Sequence, residues 1–177
     1  MADHLAFAAR RERENIFLSN PFIPDIKILF GKEYAVALES RSIIEEMTGY
    51  RISDDEAGFI ALHIHSGLSD EAVSETLKAT QLIDESMQII EEHLEKEMQK
   101  EALNYIRLMS HLYYMVVRTK TGEAVNIDLN EFVQEKYPEA MKIAALICDN
   151  MAEKLERQIM QEEVGFLAIH IQRMIAA

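Results

Sequence analysis

Two histidines, His4 and His63, stand 59 residues apart, and His111 and His170 repeat that separation. Each member of the second pair lies 107 residues after its counterpart in the first. His63 sits inside Gly58–Ile64, "GFIALHI", and His170 inside Gly165–Ile171, "GFLAIHI". Three kinds of chemistry suit an imidazole on an apolar background. One is structural: a histidine at a helix–helix contact, satisfied by a carboxylate or a backbone group. The second is metal binding, which the "HIH" of His63–His65 invites. Residues two apart on a helix point to nearly opposite sides, however, and the second copy carries Gln172 in place of a second histidine. Zinc-type sites want several converging ligands, and no metal is expected here. The third is phosphoryl acceptance. A neutral imidazole is a nucleophile toward a phosphorylated donor near neutral pH. The adduct adds roughly two negative charges and strong acceptor oxygens, able to open a packed contact or to be held by an arginine.

The elements that must position these residues are helices. Between breaks, apolar residues recur at spacings of three and four: Leu77, Leu82, Ile83, Ile89, Ile90 and Leu94 form one series, and Ile143, Leu146, Ile147, Met151 and Leu155 another. Strand-like alternation is scarce, so the fold is all-α. Breaks are expected at Ser19–Pro21, at 119–128 ("TKTGEAVNID"), at Pro138, and at 65–75 ("HSGLSDEAVSE"), where Gly67 ends one helix and Ser69, Glu71 and Ala72 open the next. On such helices Phe59, Ile60 and, two turns back, Glu56 share the side of His63, as Phe166, Leu167 and Glu163 share that of His170. Phe7 and Arg11 follow His4 on its face, as Tyr114 and Arg118 follow His111. Arg11 and Arg118 are the candidate phosphate-supporting residues.

The 107-residue displacement extends well beyond the histidines. Residues 3–11 ("DHLAFAARR") fall on 110–118 ("SHLYYMVVR"), 29–37 on 136–144, and 55–66 ("DEAGFIALHIHS") on 162–173 ("EEVGFLAIHIQR"), without a gap. Apolar positions can coincide through helical period alone; two histidines at one spacing are harder to match by accident. Two homologous helical-bundle modules in tandem are therefore expected, over 1–68 and 72–177. The helix around 75–98 precedes His111 and has no counterpart before His4, so the first module reads as lacking its opening helix. Ser110 stands where the first copy has Asp3, so the two histidine environments need not react alike.

Composition bounds the partners. The 177 residues carry 31 acidic and 18 basic side chains, a net charge of -13, which argues against this chain gripping a phosphate backbone by itself. Cys148 is the only cysteine, so a disulfide framework is excluded and a reducing cytoplasm is the natural compartment. No apolar run approaches the roughly 18 residues of a membrane span, and no membrane insertion is expected. No glycine-rich phosphate loop and no nucleophile–base–orienter set is found, so neither a cofactor nor an enzymatic activity is expected. His93, within "IIEEHLEKE", reads as a solvated helix residue and lacks the paired Glu-x-x-His pattern of a helical metal store.

The blocks "DEAGFIALHIHS", "DHLAFAARR" and "NPFIPDIKILFGKEYAVALE" together resemble the PTS regulation domain, which controls the BglG/SacY-type transcriptional antiterminators and some sugar-operon activators. "GFIALHIHSGLSDEAVSE" is most similar to the glucose-operon antiterminator group. The resemblance implies compact helical bundles in tandem that form homodimers. It implies phosphorylation by the sugar phosphotransferase system at His4 and His63 in the first domain and at His111 and His170 in the second. The implied donors are the phosphocarrier HPr and a sugar-specific enzyme II. RNA would be bound only through an N-terminal domain that this sequence does not contain. A DNA-binding sugar-operon activator is the alternative with the same regulatory domains, and a helical metal-binding protein is the alternative from another class.

Overall fold

The computed structural model describes residues 2–14, 16–69 and 71–177, with the side chains of all of these except Ala2, Ala9 and Glu12. Met1, which opens the expected first module, and Asp70, in the expected boundary stretch, lie outside the described residues. Every regular element among the described residues is an α-helix, as the apolar spacing requires. The chain forms two compact units, residues 1–80 and 81–177. The first holds α1 (Ala2–Arg13), α2 (Ile23–Leu29), α3 (Gly31–Glu39), α4 (Arg41–Thr48), α5 (Asp54–Ser69) and the start of α6 (Val73–Leu94). The second holds the rest of α6, then α7 (Leu103–Thr121), α8 (Asn130–Lys136), α9 (Pro138–Leu155) and α10 (Gln161–Ile175).

The 107-residue displacement seen in the sequence carries through to helix boundaries. α2 and α8 start at Ile23 and Asn130, α3 and α9 at Gly31 and Pro138, α5 and α10 at Asp54 and Gln161. One difference stands out. α9 is continuous, whereas the same span of the first unit is divided into α3 and α4 at Ser40. The Ser40 hydroxyl donates to the Ala37 carbonyl at 2.8 Å, a local bond that competes with the helical ladder. At the matched position α9 carries Ile147, fully buried, which rewards continuing the helix.

Helix ends follow local chemistry and correct two expected breaks. α4 and α7 stop at Gly49 and Gly122, whose φ of 74° and 73° are left-handed values that a side chain would strain. The loop expected over 119–128 therefore begins at Gly122, and Thr119–Thr121 are helical. Gly67 does not end α5, which runs to Ser69, because its φ is not left-handed and nothing there requires a glycine to stop. Pro138 occupies the first turn of α9, where its missing N–H costs nothing.

The second unit buries the larger core. Leu108, Met109, Leu112 and Met115 from α7, Ile143, Ile147 and Met151 from α9, and Leu167, Ala168 and Ile171 from α10 are almost wholly removed from water. Leu146, expected on the apolar seam of α9, is 45% exposed: Ile143, Ile147 and Met151 recur at four-residue steps and rotate it outward. In the first unit Ile26, Phe30, Ala37, Ile60, Ala61 and Leu62 form the core. None of the described side chains of α1 is buried, whereas α7 buries seven.

The glycine that opens each repeated "GF" motif is explained by packing. A Cβ on Gly165 would lie 2.7 Å from Oδ1 of Asn130, 3.2 Å from its backbone nitrogen and 3.3 Å from the carbonyl carbon of Leu129. A Cβ on Gly58 would meet only the side-chain ends of Ile23 and Asn20 at closest range. Side-chain tips can turn away; the backbone at the start of α8 cannot. Gly165→Ala is expected to lower stability by about 1–2 kcal/mol, overpacking outweighing the helix-propensity gain. Gly58→Ala should cost less, and a thermal melt in which Gly58→Ala is the worse of the two would refute this account.

Candidate functional site

Each unit brings its two histidines into ring contact. α7 places His111 and Arg118 seven residues apart, two turns along one face, and α10 places Glu163 and His170 likewise. His111 meets His170, and Arg118 meets Glu163, the reverse order expected of two helices running in opposite directions. The imidazoles of His111 and His170 stack with centroids 4.5 Å apart at 28°. In the first unit His4 and His63 lie 4.8 Å apart at 48°, and Phe59 closes against His4 at 5.9 Å. His4, Arg11, Glu56 and His63 thus form one cluster, and His111, Arg118, Glu163 and His170 form its counterpart.

The carboxylate at the centre of each cluster divides its oxygens differently. In the first unit Glu56 Oε2 lies 2.9 Å from Nε2 of His4, and Oε1 accepts a bond from a terminal nitrogen of Arg11 at 2.5 Å. In the second unit Arg118 takes both oxygens of Glu163, its Nε donating to Oε1 at 2.6 Å and its Nη2 to Oε2 at 2.8 Å. Nε2 of His111 stays 3.9 Å from Oε2 and is buried without a hydrogen-bond partner among the described residues. The bidentate fork is the stronger arrangement for a guanidinium and a carboxylate. Its cost falls on His111, just as the one-nitrogen contact of Arg11 with Glu56 leaves that residue's own Nε buried and without a partner among the described residues.

Burial sets the protonation states. His111 is pushed down to about 3, chiefly by loss of water, with His170 and Arg118 adding to the effect. His63 and His170 are also lowered, again chiefly by burial, so these imidazoles are neutral at physiological pH. Burial pushes Glu56 up, but the hydrogen bonds from His4 and Arg11 outweigh it and hold the carboxyl below its usual range. The bonds to Glu163 raise Arg118 further. Neutral imidazoles at His63, His111 and His170, each against a second ring and with a carboxylate and an arginine in the same cluster, are nucleophiles placed to receive an anion.

All six candidate residues fall within these two clusters. What sequence reasoning missed was the joint role of Glu56 and Glu163. Both were placed on the histidine side of their helices, yet nothing in one helix's spacing shows that the carboxylate reaches an arginine and a histidine of another. Their identity at the 107-residue displacement was the available signal. Phe7 and Tyr114, expected on the histidine face, are instead 59% and 58% exposed. His65 lies on the other side of α5 from His63, its ring 4.3 Å from Phe30 and its Nδ1 3.1 Å from Glu33. His93 is exposed. Among the described residues no helix is long and apolar enough to cross a membrane.

Comparison with known proteins extends these observations. A family model described as PRD domain matches residues 1–67 and again 84–174. The beta-glucoside operon antiterminator of Dickeya chrysanthemi is 32% identical over 177 residues, covering 98% of this chain and 62% of that protein. The PtsGHI operon antiterminator of Bacillus subtilis strain 168 is 30% identical over 171 residues, covering 96% of this chain and 61% of that protein. Protein GlcT of Staphylococcus saprophyticus is 30% identical over 174 residues, with 97% and 62% covered. The chain therefore spans about three fifths of the length of the curated relatives it matches.

Proposed function

The chain belongs to the PRD domain family, and on that premise we propose that it is the regulatory part of a sugar-operon transcriptional antiterminator, switched by reversible phosphorylation of His4, His63, His111 and His170. The observation that carries this reading is the cluster of two histidines, one glutamate and one arginine, formed twice from residues displaced by 107 positions. A packing histidine would need neither the second imidazole nor the arginine. The likeness to two antiterminators, one of them of the PtsGHI operon, supports the same output and the same input.

In this reading the two regulatory domains extend over 1–68 and 72–177. The phosphocarrier HPr and a sugar-specific enzyme II are the donors, the working form is a homodimer, and the setting is the cytoplasm. Phe7 and Tyr114, exposed three residues after His4 and His111, offer apolar ground beside each acceptor for a protein partner. RNA is contacted through an N-terminal domain outside this chain, in keeping with the net charge of -13. The chain itself performs no catalysis; its imidazoles accept phosphoryl groups from donors that do.

Phosphohistidine mapping by mass spectrometry under non-acidic conditions tests the proposal. With phosphoenolpyruvate, enzyme I, HPr and a matching enzyme II, label is expected on the four histidines and not on His65 or His93. Unlabelled histidines, with donors active on a control acceptor, would return the clusters to a structural role.

A further inference from the structure

The two units hold the same four residue types in two different arrangements, and the difference has a chemical meaning. A carboxylate can only accept, so the 2.9 Å contact between Glu56 and His4 requires Nε2 of His4 to donate. A neutral His4 then carries its proton on Nε2, and its lone pair is on Nδ1. In the second unit both oxygens of Glu163 are engaged by Arg118, and Nε2 of His111 lies buried, 3.9 Å from the nearer oxygen. A proton on that nitrogen would be a buried donor with no acceptor within reach among the described residues, a heavier cost than an unpaired lone pair on a ring that Arg118 already disfavours charging. His111 therefore keeps its proton on Nδ1 and its lone pair in the interior.

We propose that Glu56 and Glu163 are positioning residues that gate phosphoryl acceptance: bonded to histidine, as in the first unit, the carboxylate readies Nδ1 as the acceptor nitrogen, and clamped by arginine, as in the second, it withholds that state. This rests on the phosphorylation reading above and deepens it. In the ready state the Nδ1 lone pair of His4 attacks phosphorus of the donor's phosphohistidine. A new P–N bond forms, the donor's P–N bond breaks, and the donor imidazole leaves with that electron pair. The positive charge that develops on the His4 ring is met by the Glu56 carboxylate through Nε2–H, the role a carboxylate plays behind a nucleophilic or basic imidazole. The second unit reaches the same state when Arg118 gives up one oxygen of Glu163. A phosphoryl dianion in the cluster is itself an alternative partner for that guanidinium.

Long-range proton–nitrogen correlation spectra of the whole chain, with 15N-labelled histidine, test the geometry without any donor. His4 is expected as the Nε2–H tautomer and His111 as the Nδ1–H tautomer; the same tautomer at both would overturn the proposal. Arg118→Lys keeps the charge but replaces the fork with a point donor, which frees one oxygen. It is expected to move His111 to the Nε2–H form and to raise its rate of labelling about tenfold. Glu56→Gln is expected to lower labelling of His4 by about the same factor while His111 is unchanged. Phosphate found on Nε2 of His4, or variants that leave tautomers and rates as in the wild type, would refute the gate. If Arg118→Lys does not fold, Glu56→Gln decides. Failure of the wild type to label at all, with the tautomers as expected, would count against the function and not against the geometry.

Discussion

Glu163→Ala is expected to be the most destabilising single change in either histidine cluster. The Glu163 side chain is completely buried and, among the described residues, is the hydrogen-bonding partner of the Arg118 guanidinium fork, whose own side chain is 21% exposed. Removing one member of a buried pair leaves the other charge without compensation, at a cost of about 3 kcal/mol or somewhat more. For a chain of 177 residues that corresponds to a fall of roughly 6–12 °C in Tm, at about 2–4 °C per kcal/mol. Glu56→Ala should cost less, because Glu56 is 14% exposed and water can reach Arg11 once the carboxylate is gone. The double variant Arg118→Met/Glu163→Leu is expected to recover most of the loss, since an apolar pair of similar volume asks for no desolvation. Calorimetric melts of the four proteins check the order. A fall for Glu163→Ala no larger than for Glu56→Ala would show that the bidentate pair is not what holds α7 to α10.

The second large effect is acid sensitivity. His111 ionises at about 3 in the folded chain against an ordinary 6.5, so folding requires the neutral ring. Between those values the unfolded chain binds the extra proton and the folded chain does not. Its stabilising contribution is thus complete above pH 6.5 and is lost as pH falls toward 3. The full span is worth at most about 4–5 kcal/mol. His63 and His170, lowered for the same reason, act in the same direction. Glu56, lowered below its ordinary 4.5, adds a loss that begins only in the lower part of this window. Histidine protonation should therefore show first. Stability measured by denaturant titration is expected to decline below pH 6.5 in the wild type and to decline less steeply in His111→Leu. An NMR titration that finds His111 protonating near its ordinary value would overturn this account.

Helical class, tandem arrangement and the repetition of the two histidines were all readable from the chain itself. They depend on period and repetition: apolar residues at three and four select helices, and an ungapped displacement of 107 residues carrying two histidines selects duplication. His63 could be separated from His65 on the same grounds, because residues two apart on a helix cannot share a face. The exposure of Leu146 and the extension of α5 past Gly67 were not readable in this way. Each depends on what lies opposite or on the φ a residue adopts, and local spacing carries neither.

Only the folded structure decides how one carboxylate is shared. Sequence places Glu56 and Glu163 at matched sites, each seven residues before a histidine, and gives both the same expectation. The two units then differ by about an ångström in where a histidine nitrogen stands: 2.9 Å from the carboxylate in one, 3.9 Å in the other. α7 is buried along seven of its residues and brings Arg118 in as a fork; α1, with none of its described side chains buried, brings Arg11 in by one nitrogen. Hydrogen bonding falls off over that distance, so packing that no motif records selects which residue the carboxylate serves.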